Sequence, residues 1–197
     1  MKTYQVITAA STFPVSLTEA KSHLKVDTSA DDTYITSIIK AATQLSEEYT
    51  NRFFINTLID QTCSSFAELQ TLFKSKVNDV QYVKYYDSNE TLQTLANTEY
   101  DKMLSYEPSQ IQLADGKSFP SITKRNDAVI CRYTVGYGSS ASDVPDIIKQ
   151  AILLTIGNFY QNRNSVVIGR IATELPQNVK WLLDTYKVQI VGWQLEN

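Results

Sequence analysis

Residues 129–151 read VICRYTVGYGSSASDVPDIIKQA, and the spacing of their apolar side chains changes partway along. From Val129 to Tyr137, apolar and aromatic residues recur at every second position, which is typical of a half-buried strand. After a Ser-rich link, Pro145 suits the first turn of a helix and Asp146 suits its positive end. The chain therefore passes from a strand-rich part into a helical part within this stretch.

The helix that follows Pro145 has a broad apolar surface, so we expect it to be buried on most sides, either by its own domain or by neighbouring chains. That surface consists of Ile147, Ile148, Ala151, Ile152, Leu154, Ile156 and Phe159. A loop is expected from Asn162 to Leu175. Pro176 then opens a last helix, whose apolar residues are Val179, Leu182, Leu183 and Tyr186.

Short strand patterns occupy the part of the chain before residue 129. They cover residues 80–86, 91–95, 100–104 and 111–113, and turn-forming residues at 87–90 and 114–117 separate them. Neither a strand period nor a helix period is clean from Asp60 to Lys76. A run of short strands between helices predicts an antiparallel sheet.

Two helices precede these strands. Ser16 and Glu19 have the spacing of a capping box at the start of the first helix. The second helix is expected to begin just before Asp31 and Asp32, which suit its positive end, and to end near Arg52. Between these limits, apolar residues recur at helical spacing.

The predicted fold class is therefore α+β: a helical bundle of about four helices, with an antiparallel β-sheet or small β-sandwich inserted between helices 2 and 3. We expect residues 1–54 and 139–197 to form a helical domain with a C-terminal tail. Residues 55–138 are expected to form an inserted β-rich subdomain. A chain of 197 residues buries enough surface to fold without disulfides or a metal.

The overall charge argues against one class of function. Lys and Arg total 18 against 21 for Asp and Glu, a formal net charge of −3, whereas proteins that grip a DNA duplex have a basic excess.

Cys63 and Cys131 lie in strand-like segments, so we expect two reduced, buried thiols, although a disulfide between facing strands stays open. With no long apolar run and no signal core, the protein is expected to be made and used in the cytoplasm, or inside something assembled there.

No residue pattern predicts catalysis, a cofactor or a metal site. His23, the only histidine, has no second ligand at helical spacing, and we interpret it as a surface or packing residue. Residues 136–138, Gly-Tyr-Gly, lack the third glycine and the lysine of a phosphate-binding loop, so a bend is expected there. The carboxylate pairs at 31–32 and 47–48 point about 100° apart on a helix, so neither pair converges on one cleft.

Two other functional classes stay open on the sequence. Tyr82, Tyr85 and Tyr86 could form a stacking platform, which would make the chain a Tyr-rich β binding module for a glycan or single-stranded nucleic acid. We favour packing within the sheet, because no track of basic residues accompanies the tyrosines. A hydrolase with an unrecognised site, built around Cys131, is the third hypothesis.

Apolar residues also occur where polar ones are usual. Residues 165–171, within the expected loop, read SVVIGRI, and Trp193 and Leu195 lie close to the end of the chain. Apolar side chains of this kind are expected to be buried, either against their own domain or against another chain. Two alternatives are open: a final strand packed on its own domain, or a contact with another chain.

Several segments, in order along the chain, resemble those of one family. They are PVSLTEAKSHLKVD at 14–27, DDTYI at 31–35 with the helix to Arg52, YYD at 85–87, RYTVGYG at 132–138, VPDIIKQA at 144–151, FYQNR at 159–163 and LP at 175–176. Together they resemble the head–tail connector (adaptor, or head-completion) proteins of tailed bacteriophages, in particular longer members with a β insert. The resemblance is weakest over residues 57–78.

The resemblance implies a structural subunit and no enzyme. Such adaptors form a homo-oligomeric ring, usually of twelve copies, beneath the portal protein, and they receive a stopper or tail-completion protein below. Double-stranded DNA passes through the channel without sequence-specific binding, and no membrane is involved. The expected location is then the neck of a virion that is assembled in the host cytoplasm.

The apolar residues and the resemblance together give candidate contact residues. A closed ring needs a different patch on each side of the subunit. The ring-interface candidates are Tyr160, Arg163, Val166, Val167, Ile168 and Arg170. In related adaptors the C-terminal segment engages the portal, so the portal-docking candidates are Ile190, Val191, Trp193 and Leu195.

Overall fold

The computed structural model describes residues 2–163 and 175–189. Within them the chain forms two compact units. The helical unit comprises residues 11–50, 138–163 and 175–187. The strand-rich unit comprises residues 2–10, 51–137 and 188–189.

The helical unit contains the helices that the sequence predicts. They are α1 (Leu17–Leu24), α2 (Asp32–Thr50), α3 (Asp146–Gln161) and α4 (Gln177–Asp184). The capping box at the start of α1 is present: the Ser16 amide donates to the Glu19 carboxylate at 2.7 Å, and the Glu19 amide donates to the Ser16 hydroxyl at 3.2 Å. Pro145 and Pro176 occupy the position just before the first turn of α3 and α4.

The core of the helical unit is made from one apolar face of each helix. The fully covered residues include Ile35 and Ile39 of α2, Ile152 of α3 and Leu183 of α4. Within this unit α3 is not covered on every apolar side, because Ile147 is 43% exposed while its neighbour Ile148 is fully buried. The apolar surface of α3 is therefore wider than the face that its own unit covers.

The strand-rich unit is built on a five-stranded antiparallel sheet with the order β1-β2-β7-β3-β4 and a separate β5–β6 hairpin. Its strands are β1 (Thr3–Thr8), β2 (Thr57–Cys63), β3 (Val77–Tyr86), β4 (Leu92–Leu95), β5 (Tyr100–Met103), β6 (Gln110–Leu113) and β7 (Val129–Val135). One face of the large sheet is covered by the unit's own core, with Ile59, Val83 and Tyr133 fully buried. The strand alternation predicted from Val129 to Tyr137 is confirmed over Val129–Val135.

The first strand corrects the predicted layout. β1 pairs with β2, with Thr3 opposite Thr62 and Tyr4 opposite Gln61, so the sheet is not wholly an insert between α2 and α3. Residues 2–10 lie in the strand-rich unit, whereas the sequence assigned residues 1–54 to the helical domain. No sequence pattern predicts β1, because nearly all its residues are exposed and show no period.

Strand β2 lies in the region where neither period was clean. Its inward positions include a polar residue, Gln61, which is fully buried and interrupts the apolar alternation. Gln61 is satisfied inside the sheet: its side-chain oxygen accepts from the Tyr133 hydroxyl at 2.7 Å and from the Phe73 amide at 2.8 Å. A buried polar group that has hydrogen-bond partners costs little folding free energy. In the sequence, however, such a group interrupts the apolar alternation by which a strand is recognised.

Candidate functional site

Few of the predicted contact residues lie within the described chain. Tyr160 and Arg163, at the end of α3, are described. The other ring-interface candidates, Val166, Val167, Ile168 and Arg170, and the portal-docking candidates, Ile190, Val191, Trp193 and Leu195, lie outside the described residues. Their roles stay predictions.

Tyr160 and Arg163 form a cluster with two residues near the start of α2, Asp31 and Tyr34; we call it the Asp31 cluster. The Tyr160 hydroxyl donates to the Asp31 carboxylate at 2.5 Å. Two nitrogens of the Arg163 guanidinium donate to the same carboxylate, at 2.7 and 3.4 Å. The Tyr34 hydroxyl donates to the backbone oxygen of Phe159 at 3.2 Å. The last turn of α3 is thereby tied to the first turn of α2.

Two aromatic rings also hold the Arg163 guanidinium. Its central carbon lies 4.6 Å from the ring centroid of Tyr34 and 4.3 Å from that of Tyr160. The two rings are 6.1 Å apart, centroid to centroid. A guanidinium stacked on rings and paired with a carboxylate has a fixed orientation. The side chain of Arg163 is nevertheless 44% exposed, so part of it still faces solvent.

The electrostatics of the cluster follow from these contacts. The hydrogen bonds from Arg163 and then from Tyr160 hold the pKa of Asp31 below its ordinary value. The same contact with Asp31 raises the pKa of Tyr160 and of Arg163. At neutral pH the cluster is therefore an ion pair with a protonated tyrosine.

This geometry defines what the cluster can do. It contains no nucleophile and no second carboxylate, and its charges neutralise each other. Instead it fixes the direction in which the chain leaves α3, immediately before residues 164–174. Tyr160 and Arg163 are thus engaged within their own helical unit.

Trp181 is an exposed apolar residue that the sequence analysis did not select. It lies on α4 with 68% of its surface exposed, more than any other large apolar residue of the described chain. The opposite face of α4 is buried through Val179 and Leu183. Trp is one of the residue types enriched among binding hot spots, where its side chain becomes buried against a partner. The helical spacing from Val179 and Leu183 would have placed Trp181 on the outer face.

The edges of the large sheet hold further exposed apolar residues. Val6 and Ile7 of β1 are 40% and 39% exposed, and Leu92 of β4 is 43% exposed. No other strand pairs with the outer side of β1 or β4 in the part of the chain that the structure describes. Sequence analysis had no reason to select these residues, because only the strand order shows that they lie at edges.

The three tyrosines of β3 do not form one platform. Tyr85 faces the core, where its ring lies 5.7 Å from that of Phe66. Tyr82 points to the other face, with the Lys84 ammonium 4.4 Å and the Arg132 guanidinium 5.1 Å from its ring centroid. The expectation that no basic residues accompany the tyrosines was therefore wrong, since the strand register brings Arg132 opposite Tyr82. The expectation of packing within the sheet fits Tyr85.

The residues considered for catalysis are not arranged for it. Cys131 is fully buried, and burial raises the pKa of its thiol well above the ordinary value, which disfavours the thiolate that a nucleophile needs. Both cysteines are free thiols.

Residues 2–163 and 175–189 contain no cluster of three His, Cys, Asp or Glu side chains that could hold a metal ion. Among the same residues, no helix combines the length and the apolar character that crossing a membrane requires.

Comparisons with known proteins agree with the resemblance read from the sequence. Residues 14–115 match a family model described as phage gp6-like head-tail connector protein. No curated protein matches the sequence.

Solved structures share the fold over nearly the whole chain. A chain in the neck of an empty gene transfer agent particle, computed with sixfold symmetry, has a TM-score of 0.78 at 20% identity and covers 97% of this chain and 98% of its own. A chain of the native gene transfer agent virion gives 0.76 at 22% identity, with 96% and 98% covered. A chain of the native neck, computed with twelvefold symmetry, gives 0.72 at 19% identity, with 97% and 98% covered.

Proposed function

This chain belongs to the phage gp6-like head-tail connector proteins, and from that premise we propose that its copies form a closed ring beneath the portal of a phage-like particle. The chain is a structural connector subunit of the head–tail junction. The observation that carries the proposal is the family match over residues 14–115. The likeness of almost the entire chain to chains from particle necks computed with sixfold and twelvefold symmetry supports it.

A ring of twelve copies is the assembly we propose. Copies in a closed ring make heterologous contacts, so each subunit needs two different patches. Two of the ring-interface candidates, Tyr160 and Arg163, belong to the Asp31 cluster, and the other candidates come later in the chain. By fixing the end of α3, that cluster would hold Tyr160 and Arg163 in the same orientation in every copy.

The portal is the proposed partner on one side of the ring, and a stopper or tail-completion protein on the other. We assign portal docking to the apolar residues of the C-terminal segment, Ile190, Val191, Trp193 and Leu195. Trp181 on α4 adds an exposed indole to the surfaces available for these partners. The ring would lie in the virion neck, after assembly of the subunits in the host cytoplasm.

The DNA is proposed to pass through the ring without being bound by sequence. A net charge of −3 gives the subunit no basic excess for gripping phosphates, and a mildly acidic lining would repel the moving duplex. We also propose that the chain performs no catalysis. The buried, protonated thiol of Cys131 and the self-neutralised Asp31 cluster support this.

A mixing experiment tests the proposal. Purified chain is added to heads that carry the portal but lack this connector, and particle-bound and free protein are separated by sedimentation. We expect the chain to be monomeric or polydisperse alone and to bind the heads at a fixed stoichiometry. A variant with Trp193→Ala and Leu195→Ala is expected to stay folded and lose head binding. A wild-type chain that leaves the heads unoccupied contradicts the proposed function.

A further inference from the structure

The described part of the helical unit leaves two large apolar side chains exposed besides that of Trp181. Phe13, which precedes α1, is 37% exposed, and Ile147, in the first turn of α3, is 43% exposed. Burial of apolar surface is favourable by roughly 25 cal/mol for each Å² removed from water. Both side chains therefore favour contact with another protein surface.

Each of these two apolar residues has an exposed charge beside it, and the two charges have opposite signs. The Lys40 ammonium lies 6.0 Å from the ring centroid of Phe13. Asp146 directly precedes Ile147 in the first turn of α3, and both residues are exposed. One site thus combines an apolar group with a cation, and the other combines an apolar group with an anion.

Neither charge has an oppositely charged partner within 4 Å in the part of the chain that the structure describes. Other charges of the helical unit are paired: the Lys21 ammonium lies 2.6 Å from the Asp32 carboxylate, and the charges of the Asp31 cluster neutralise each other. Lys40 and Asp146 therefore remain available for a partner outside their own unit.

The two sites lie on different sides of the helical unit. α2 directs Ile35 into the core and Lys40 to solvent, while α3 directs Ile148 into the core and leaves Asp146 exposed. Because α2 and α3 pack against each other through their buried faces, their exposed faces are directed away from each other. One neighbour on each side can therefore reach one site without blocking the other.

A groove lies along the exposed face of α2. It has a volume of about 410 Å³ and is lined by Asp32, Thr33, Thr36, Ser37 and Lys40. The side chains between its two charged ends are small, and Asp32 is already paired with Lys21, so Lys40 supplies the charge that can meet a partner. The groove therefore suits an apolar side chain that has an acidic neighbour.

We propose that the exposed face of α2 in each copy contacts the start of α3 in the next copy, with Lys40 paired to Asp146 and Ile147 entering the groove of α2. The inference rests on the proposed ring and identifies one of the contacts that would close it. A closed ring needs two different patches that fit each other, and these two differ in side, shape and charge. The contact would cover Ile147 and give both charges a partner.

A second copy of the chain fits the two sites better than an unrelated partner does. An unrelated protein bound in the groove of α2 would leave the start of α3 uncovered. In a ring, each copy offers α2 to one neighbour and α3 to the other, so both sites are covered in every subunit. Their opposite charges also favour this pairing over contacts between two identical patches.

Charge reversal tests the pairing. Lys40→Glu and Asp146→Lys are made singly and together, and their occupancy of portal-bearing heads is measured by sedimentation. Each single variant places like charges at the contact, so we expect about tenfold more protein to be needed for half-maximal occupancy. The double variant restores a pair of opposite charges and should occupy the heads at nearly the wild-type concentration.

The matched control is Lys124→Glu, which makes the same change of charge at an exposed lysine of the strand-rich unit and should behave like the wild type. Melting temperatures are measured for every variant, because Asp146→Lys also places a cation at the positive end of α3. Single variants that occupy heads like the control, or a double variant no better than the singles, overturn the contact and leave the proposed function intact. Wild-type chain that leaves the heads unoccupied contradicts the proposed function itself.

Cross-linking of the unmodified chain tests the same contact without any change of charge. A carbodiimide activates a carboxylate and is released as a urea when a touching lysine amine forms the amide. Rings are assembled on heads from equal amounts of ¹⁵N-labelled and unlabelled chain, treated with the reagent, digested and analysed by mass spectrometry.

We expect a peptide pair in which Lys40 is joined to Asp146, with half of these pairs containing one labelled and one unlabelled peptide, as a link between two copies requires. Lys40→Arg keeps the positive charge but has no lysine amine, so it should form rings without this product. Wild-type rings that form normally and never yield the Lys40–Asp146 pair, or that yield it only within one copy, overturn the inference.

Discussion

Arg163 is the last residue that the structure describes before residues 164–174. Its guanidinium is paired with Asp31 and stacked on Tyr34 and Tyr160, so its position is set by contacts within one copy. Tyr160 and Arg163 were selected as ring-contact candidates, and their shared partner, Asp31, just before α2, lies 129 and 132 residues away along the chain. A pairing over that distance leaves no periodic signal in a sequence.

The Asp31 cluster gives the protein a defined pH response. The folded pKa of Asp31 is lowered, so its contribution to stability is present above the ordinary carboxyl value of about 3.9 and is lost as the pH falls through the folded value. Asp31→Asn should therefore lower the melting temperature at pH 7, and the difference from wild type should shrink below about pH 4.

Thermal unfolding followed across pH checks this prediction. Asp27→Asn is the control, since Asp27 is exposed and also lies before α2. That substitution should leave the melting temperature unchanged at every pH. A constant difference between Asp31→Asn and wild type from pH 7 to pH 2 would mean that the ion pair contributes nothing to folding.

Helices and strands differ in how far the sequence predicts them. α1 to α4 were predicted because each combines an apolar period with a capping residue or proline at its start. β7 was predicted because its buried and half-exposed positions alternate. β1 was missed because it lies at an edge and has no buried period, and β2 was obscured by the buried amide of Gln61.

α4 is the element for which an exposed side chain predicts a binding role. Trp181 is 68% exposed, so Trp181→Ser should leave the melting temperature almost unchanged. Because a buried Trp at an interface typically contributes about 2 kcal/mol or more, we expect the affinity for portal-bearing heads to fall by roughly thirtyfold.

Sedimentation with heads at graded protein concentrations measures this change. Tyr106→Ser is the matched control, as an exposed aromatic residue of the strand-rich unit, and it should bind like the wild type. Equal affinity of the Trp181→Ser and wild-type chains would remove α4 from the contact surfaces of the connector.

The whole chain has an α+β fold, and its exposed apolar residues suit contacts with other protein chains. The family match and the fold of the neck chains agree with the resemblance that the sequence carries. The candidate contact residues within residues 164–174 and 190–197 were proposed from the apolar character of most of them together with the family resemblance, and they lie outside the described residues. The sheet edges could be found only from the fold, because the strand order decides which strands lie at an edge. The outward position of Trp181, in contrast, follows from the helical spacing of α4.

The central claim is that copies of this chain form a ring between the portal and the tail. Electron microscopy of particle necks in which this chain has an N-terminal tag, labelled with a bound antibody fragment, tests it most directly. We predict label around a closed ring directly beneath the portal, with twelve sites and one copy of the chain at each. Intact necks that have no label and no density for this chain would contradict the account.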